Sequence, residues 1–338
     1  MFRLLKWISA ACFVLALLVV GSVSYWFLVP PDQAPGKTLV EIPDGASFTQ
    51  VTHLLDQHKV IRWPLFMLVY GRLSGADSHV RTGVYEFSQG ILSFEVMEKI
   101  KKGTVMLTEF SHPPGYNMWQ VAERLHEKFP KISVITWLQA FADPKLVNEV
   151  APGAANLEGY LFPDVYRIRS NANAIEVVRM MTLNFKRYFT PELAARGKRL
   201  GLTPHETITL ASIIEKETGA SSERPLIASV FFNRMKKHMR LQTDPTVIYG
   251  IWDKYDGNLH RSDLETPTPY NTYTISGLPP GPIANAGLEA ILATISPTSV
   301  PYLYFVAKGN GTHYFSQTLT EHSNAVRRFQ ILPHQRKK

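Results

Sequence analysis

The sequence contains almost no cysteine: Cys12 is the single one among 338 residues. One thiol excludes an intrachain disulfide framework and a zinc site built on cysteines. The sequence also lacks a G-x-S-x-G nucleophile motif, a phosphate-binding P-loop and an HExxH zinc motif, and its histidines are scattered without the spacing of metal ligands. We therefore predict that the protein uses no metal ion and no cofactor.

Charged residues make up only 19% of the chain, whereas hydrophobic residues make up 45%, which is enough to build cores and excludes wholesale disorder. The formal net charge of +8 predicts an acidic partner, such as nucleic acid, lipid headgroups or an anionic polymer. Basic residues do not alternate with aromatic ones as a nucleic-acid platform requires. We therefore predict no nucleic-acid partner.

The longest segment without a charge runs from Trp7 to Pro31 and follows Arg3 and Lys6. As a helix these 25 residues would be about 37 Å long, against roughly 30 Å for the hydrocarbon core of a bilayer. The sequence predicts a transmembrane anchor over 7–29. The positive-inside rule then places a tail, 1–6, in the cytoplasm and the rest of the chain outside.

A cleaved signal peptide is the alternative, but the apolar segment is too long and no small-x-small cleavage site closes it. Tyr25, Trp26 and Phe27 lie at the distal end, where an aromatic belt is expected. Cys12 then lies in the membrane, and the exported part has no cysteine. This suits a protein of the bacterial envelope.

A strand, a glycine turn and an amphipathic helix recur three times, at Gly45, Gly90 and Gly115. Each glycine is followed at the same spacing by Gln or Glu, then by Val, and four residues later by Leu or Ile. The last two share one helix face. The spacing between copies is too irregular for a solenoid, so the pattern indicates small α+β units.

Residues 38–105 contain the first two copies, a predicted helix from Trp63 to Leu73 and a predicted strand from Gly83 to Phe87. The strand–helix–helix–strand order resembles a LysM-type glycan-binding module, although a structural spacer carries equal weight. Residues 106–333 are predicted to form one larger domain, mostly helical, with a hairpin near the C-terminus. The predicted fold class is α+β: an N-terminal transmembrane helix, a small LysM-like α+β module and a larger, mostly helical α+β domain. In the larger domain we predict helices over Ala174–Phe189, Pro204–Glu217, Pro225–His238 and Leu288–Ile295, and the hairpin around Gly309–Gly311.

The helix that ends at Glu217 carries the clearest candidate for chemistry. Thr203 can cap it, and Pro204 suits its first turn. Glu217 lies about 60° from the centre of the apolar stripe, whereas Glu215 lies about 100° away. Apolar neighbours and the negative end of the helix dipole both raise the pKa of a carboxyl, as a general acid requires. The alternative is an exposed helix end with no chemical role.

Three further segments combine polar and aromatic side chains in the way that a sugar site does. The first carries Glu158 and Asp164 among aromatic residues, the second is the polar loop 241–246, and the third is the Pro/Gly-rich loop 269–282. Each of them alone is more often a structural turn. Together they provide rings for stacking on sugars, and amides and hydroxyls for binding their hydroxyl groups.

Taken together, these strings resemble the MltG/YceG family of endolytic murein transglycosylases. The resemblance covers nearly the whole exported chain, and that family also has an N-terminal anchor and a LysM-like module. Ala286 departs from the pattern, since the family commonly has proline there. The strings that carry the resemblance are 157–164, 211–218, 228–234, 241–250, 269–273 and 277–285, with Leu303–Val306 and the region from His313 to His322.

The resemblance implies an enzyme that cuts the MurNAc-β-1,4-GlcNAc bond of peptidoglycan without water and leaves a 1,6-anhydroMurNAc end. The family's catalytic glutamate maps onto Glu217. We assign Gln242, Thr243, Tyr270 and Asn271 to substrate positioning, and include Glu158, which is alternatively a structural ion partner. The resemblance also implies glycan strands as substrate, peptidoglycan synthases as partners, and a single-pass inner-membrane protein whose catalytic part is periplasmic.

Two other functions remain open at this stage. A hydrolase of the same bond needs two carboxylates, and Glu158 or Asp164 could act as its base. A transglycosylase needs only one, because its nucleophile belongs to the substrate and has a high effective concentration. The third possibility is a membrane-anchored peptidoglycan-binding protein without enzymatic activity.

Overall fold

The structure is a computed structural model that describes residues 2–33, 35–78 and 80–332. The chain divides into two compact units: the first comprises residues up to 109 together with 167–172, and the second comprises 110–166 and the residues from 173 onward. The predicted domain boundaries, 38–105 and 106–333, stay a prediction. Residue 1 of the predicted tail and residue 333 lie outside the described residues.

The first unit is built around a two-stranded antiparallel sheet in which Val40 lies opposite Tyr85. Tyr85 and Phe87 point into the core, as the alternation in the sequence predicts. The order of the elements after α1 confirms the predicted strand–helix–helix–strand sense. The elements are α1 (Phe2–Leu28), β1 (Lys37–Ile42), α2 (Phe48–Gln57), α3 (Pro64–Ser74), β2 (Gly83–Ser88) and α4 (Ser93–Lys102).

Helix α1 is long and apolar enough to cross a membrane over Lys6–Leu28. Its last turn, however, belongs to the core of the first unit: Trp26 is only 1% exposed, with its ring 6.5 Å from that of Phe66 and 5.6 Å from that of Tyr70. Tyr25 stays half-exposed, and its hydroxyl accepts a hydrogen bond from Arg62. The prediction that Trp26 lies at the membrane surface is therefore wrong. Trp26 packs against protein, because α3 covers this end of α1.

The three glycine turns have one geometry and one helix start. Strands β1, β2 and β3 (Leu107–Ser111) each lead to a glycine with φ between 75° and 86°, a left-handed conformation that side chains disfavour. The helices α2, α4 and α5 (Met118–Lys128) then begin three residues later. Gln50, Glu95 and Gln120 share one spacing from their glycines for a structural reason. Each side chain accepts a hydrogen bond from the backbone N–H of the residue before its helix.

The second unit is mostly helical. The predicted helices are confirmed to within two residues at each end, and so is the hairpin, whose two strands pair antiparallel with Phe305 opposite Phe315. Strands β3 and β4 form another two-stranded sheet, and the division into units assigns part of each strand to the first unit. The remaining elements are α6 (Val134–Phe141), β4 (Val165–Arg169), α7 (Ala174–Tyr188), α8 (Pro191–Arg199), α9 (Pro204–Glu217), α10 (Arg224–Lys236), α11 (Asp244–Gly250), α12 (Arg261–Glu265), α13 (Leu288–Thr294), β5 (Tyr304–Ala307), β6 (His313–Ser316) and α14 (Leu319–Val326).

Helix α9 lies at the centre of the second unit and packs against α8, α10, α11 and α13. Thr203 and Glu206 form the capping box at its start, and Pro204 occupies its first turn. Every residue from Thr207 to Ile214 is buried. The buried surface of α9 is therefore wider than the single apolar stripe that was predicted, because neighbouring elements cover this part of the helix on all sides. Its threonine and serine hydroxyls stay satisfied by donating to carbonyl groups of the preceding turn.

We expect Trp26→Ala to destabilise the first unit by about 3–5 kcal/mol, because it empties a fully packed aromatic site. Hydrogen exchange of the β2 amides in the full chain, held in detergent micelles, measures this loss. Trp7→Ala is the matched control, since Trp7 is 77% exposed. Equal exchange rates in the two variants would show that Trp26 does not hold the unit together.

Candidate functional site

Glu217 is the last residue of α9, and its carboxyl group opens into a cavity of about 470 Å³. The chain leaves the helix directly after it, since Thr218 is extended. The side chain is partly buried. The hydroxyl of Thr243 donates a hydrogen bond to Oε1 of Glu217. Oε2 is thereby the oxygen left for a ligand in the cavity.

The loop that carries Gln242 and Thr243 is held by Thr272. The backbone N–H of Gln242 donates to the Thr272 carbonyl at 3.2 Å, and that of Thr243 donates to the Thr272 hydroxyl at 3.0 Å. Thr246 completes this buried network, with its hydroxyl 2.8 Å from that of Thr272. Gln242 adopts a left-handed backbone with φ of 50°, which costs free energy for a residue with a side chain. The network therefore fixes Thr243 against Glu217 despite local strain.

Burial raises the pKa of Glu217 to about 7, and the nearby charge of Asp244 acts in the same direction. The hydrogen bond from Thr243 and the charge of Arg234 oppose this shift. The guanidinium of Arg234 is buried and fixed, since it donates to the carbonyls of Leu303 and Leu241 at 2.7 Å each. The carboxyl group is thus poised to give and take a proton near neutral pH.

Glu215, two residues earlier on the same helix, has a structural role. One carboxylate oxygen accepts from Arg224 at 2.8 Å and the other accepts from the backbone N–H of Gly287 at 2.9 Å. Its side chain is only 6% exposed. The wheel argument that placed Glu215 farther from the core is therefore wrong in this respect, because α10 and the start of α13 cover that face of α9. Glu215 has no oxygen left for chemistry, whereas Glu217 does.

Glu158 is fully buried, away from the cavity that Glu217 lines. Its carboxyl accepts from the backbone N–H of Met118 at 2.9 Å and lies 3.4 Å from Nδ2 of Asn285, and the Tyr249 hydroxyl also reaches it. Burial raises its pKa to about 8. The groups that act on it within the described part of the chain are hydrogen-bond donors, and the alternative of a structural ion partner also stays a prediction. Its contact with substrate stays a prediction.

Asp164, the other candidate base, accepts from Asn184 at 2.8 Å and from the backbone N–H of Val165. Asn271 is fully buried, and its amide donates to the carbonyls of Asp263, Leu264 and Thr266. Asn271 thereby fixes the loop that follows α12. Like Glu158, neither residue lines the cavity of Glu217.

Tyr270 lines a second cavity, described below, and not the one that Glu217 lines. The structure therefore brings three of the predicted site residues together: Glu217, Gln242 and Thr243. Substrate positioning by Tyr270 and Asn271 remains a prediction, as it does for Glu158.

Several side chains of the cavity were not singled out from the sequence, and four of them are Arg234, Asp244, Tyr273 and His313. Tyr273 donates to Asp244 at 2.6 Å, and Nδ1 of His313 lies 2.7 Å from a carboxylate oxygen of Glu223. All four lie in or beside the strings that carry the family resemblance, and this is the signal that could have found them. No periodicity could, because they come from four separate elements.

We expect the two glutamates at the end of α9 to differ in their effect on stability. Glu215→Ala leaves the buried Arg224 with only the exposed carboxylate of Glu289 and the Ser221 hydroxyl as partners and should cost on the order of 3 kcal/mol. Glu217→Gln should stabilise the fold at pH 8, because burial raises the folded-state pKa of Glu217 above its unfolded value and the wild-type fold must carry the unfavourable buried charge above about pH 7. The gain should shrink as the pH falls from about 7 towards 4.5, where the unfolded carboxyl also takes up its proton.

Thermal unfolding of the full chain at pH 5 and pH 8 distinguishes the two variants. Glu192→Gln is the control for loss of a charge, since Glu192 is exposed on α8. A destabilising effect of Glu217→Gln at pH 8 would contradict the interpretation that burial raises the pKa of Glu217.

Comparisons with known proteins cover most of the chain. The model of the YceG-like family matches residues 40–328. An endolytic murein transglycosylase of Bacillus subtilis (strain 168) is 33% identical over 319 residues, covering 89% of this chain and 88% of the relative. An endolytic murein transglycosylase of Streptococcus pneumoniae serotype 2 is 27% identical over 88% of this chain, which spans 60% of that longer relative.

The fold is also similar to a solved one. The crystal structure of a YceG-like protein from Listeria monocytogenes superposes with a TM-score of 0.59 at 32% sequence identity. The match covers 86% of this chain and all of that structure. The extent of the family match and the identity to the Bacillus relative lead to one conclusion: this chain belongs to the YceG-like family.

Proposed function

We propose that this protein is an endolytic murein transglycosylase, which cleaves the MurNAc-β-1,4-GlcNAc bond of peptidoglycan and leaves a 1,6-anhydroMurNAc end. The observation that carries the proposal is a single partly buried carboxyl, that of Glu217, held by Thr243 at the wall of an open polar cavity. The names of the relatives in Bacillus and Streptococcus support the same activity.

In the first step Glu217 acts as the general acid. With a pKa of about 7 the carboxyl is substantially protonated at neutral pH, and Thr243 occupies Oε1, so the proton is carried on Oε2. Oε2 donates this proton to the glycosidic oxygen, and the bond to C1 of MurNAc breaks. The positive charge that develops at C1 lies in a cavity lined by the carboxylate of Asp244 as well as by Glu217.

In the second step the Glu217 carboxylate acts as the base. It takes the proton of the MurNAc 6-hydroxyl, whose oxygen closes on C1 to form the anhydro ring. No water enters the product, and the carboxyl returns to its protonated state. One carboxyl is sufficient because the nucleophile is part of the substrate and needs no second residue to hold it.

A hydrolase remains the competing proposal for one reason. Within the described residues, Asp244 is the one other carboxylate that lines the cavity, and it could hold a water molecule as a base. Glu158 and Asp164, the bases considered from the sequence, do not line the cavity. The product separates the two reactions, since a hydrolysed end is one water heavier than an anhydro end.

We expect Glu217→Gln to reduce cleavage of purified glycan strands by about 10²- to 10⁴-fold, the usual contribution of general acid–base catalysis. Mass spectrometry of the wild-type products should find 1,6-anhydroMurNAc ends. Glu192→Gln should cleave at the wild-type rate. Reducing ends alone would identify a hydrolase, and sacculi that bind the wild-type protein but stay uncut would identify a non-enzymatic binding protein.

The pH dependence of kcat/KM should fall above about pH 7, where the acid loses its proton. Thr243→Val removes a hydrogen bond that lowers the pKa of Glu217, so the descending limb should move to higher pH. Asp244→Asn removes a charge that raises this pKa, so the limb should move to lower pH. Shifts in the same direction for both variants would mean that Glu217 is not the titrating group.

The remaining parts of the proposal concern location and partners. We propose that α1 anchors the protein in the inner membrane, with 1–6 in the cytoplasm and the second unit in the periplasm. The length and apolar character of α1 support this. We also propose that the strand–helix–helix–strand part of the first unit is a LysM-like module that binds glycan, and that peptidoglycan synthases are partners. The family resemblance supports both.

A further inference from the structure

The second unit contains another cavity, of about 740 Å³, whose wall is a row of aromatic rings. The rings of Trp119 and Trp252 are nearly parallel, 10° apart in orientation and 5.7 Å apart between centroids. Tyr249 continues the row at 5.1 Å from Trp119, and Tyr270 follows at 4.7 Å from Tyr249. We call Trp119, Trp252, Tyr249 and Tyr270 the aromatic row. Trp119, Trp252 and Tyr270 are partly exposed, so their rings can accept a ligand.

Polar groups surround the aromatic row. Asp253 and Asp256 are exposed at the rim of the cavity, and His260 lies 3.6 Å from Asp256. An aromatic floor with hydrogen-bonding groups at its edge suits a ligand that has both apolar faces and hydroxyl groups. A saccharide has this composition, since its ring C–H groups form the faces and its hydroxyls project from the edges.

The two cavities lie at opposite ends of one short helix. Asp244, the first residue of α11, lines the cavity of Glu217, while Tyr249 and Gly250 at its end line the aromatic cavity. Seven helical residues span about 10 Å. A second connection agrees with this spacing: Tyr270 lines one cavity and Tyr273 the other, so their Cα atoms are at most about 11 Å apart. A glycan of a few sugars is long enough to reach from one cavity to the other.

We infer that the aromatic cavity is a distal saccharide-binding subsite, which holds the same glycan strand that Glu217 cleaves. The inference rests on the proposed function for the identity of the strand. Sugars stack on Trp119 and Trp252, and the strand continues past α11 to the cavity of Glu217. The subsite makes the enzyme favour strands long enough to occupy both cavities.

The buried Glu158 supports the aromatic row from behind. Its carboxyl accepts a hydrogen bond from the backbone N–H of Met118, the residue before Trp119. The same carboxyl accepts a hydrogen bond from the hydroxyl of Tyr249. Two of the four rings therefore depend on one buried carboxyl. Glu158 acts in this inference as a positioning residue.

The test compares long and short glycan strands. In the Glu217→Gln background, which binds without cutting, Trp252→Ala should weaken binding of long purified strands by about 3- to 10-fold, the loss expected for one stacking partner. Binding of a single disaccharide, which is too short to occupy both cavities, should not change. Trp252→Phe keeps an aromatic face and should restore most of the affinity. Tyr314→Ala is the control, since Tyr314 is an exposed aromatic residue of the same unit that lines neither cavity.

In the cleaving enzyme, Trp252→Ala should raise KM for long strands and leave kcat unchanged. Equal losses for long and short strands, or unchanged binding of long strands with Trp252→Ala, would overturn the subsite. The binding measurements need no turnover. If the wild-type enzyme cleaves nothing while Trp252→Ala still weakens long-strand binding selectively, the proposed function fails and the subsite stands.

Discussion

The burial of α9 on every side is the constraint on which the site depends. Four other helices pack against α9 and bury Thr207–Ile214, so its last residue, Glu217, lies at the boundary between a packed interior and an open cavity. That position explains the chemistry: the packed side removes water from the carboxyl and raises its pKa, and the open side admits a ligand. The charge of Arg234, itself fixed by backbone carbonyls, keeps the pKa from rising farther.

Neighbouring glutamates on one helix acquire different roles through their partners. Glu215 meets Arg224 and a backbone N–H, both of its oxygens are used, and the pair ties α9 to α10 and α13. Glu217 meets one hydroxyl and retains a free oxygen. Glu158 provides a third case, a carboxyl sealed among Met118, Tyr249 and Asn285, where burial raises its pKa without giving it a path to substrate in the cavity of Glu217. A raised pKa alone therefore does not identify the catalytic group. The open face of Glu217 is the reason that we propose it as the catalytic group.

Much of the architecture could be predicted locally. The capping residues of α9, the three glycine turns with their following helices, and the hairpin around Gly309–Gly311 depend on contacts between residues close in sequence, and the structure has them where expected. Expectations that needed a distant partner were less successful. Trp26 was expected at the membrane surface, but it packs against α3 in a core. Glu215 was placed farther than Glu217 from the apolar stripe, but it is buried against Arg224.

The sequence by itself determined the order of the elements, the apolar N-terminal helix, the family strings and the proposal of Glu217 as the acid, because periodicity, capping and motifs depend on residues that are close together in the chain. Only the tertiary structure decided which polar residues meet. Gln242 and Thr243 reach Glu217 because Thr272 holds their loop, whereas Tyr270, three residues before Tyr273, turns to a different cavity. Such partnerships join separate elements, and no spacing along the chain encodes them.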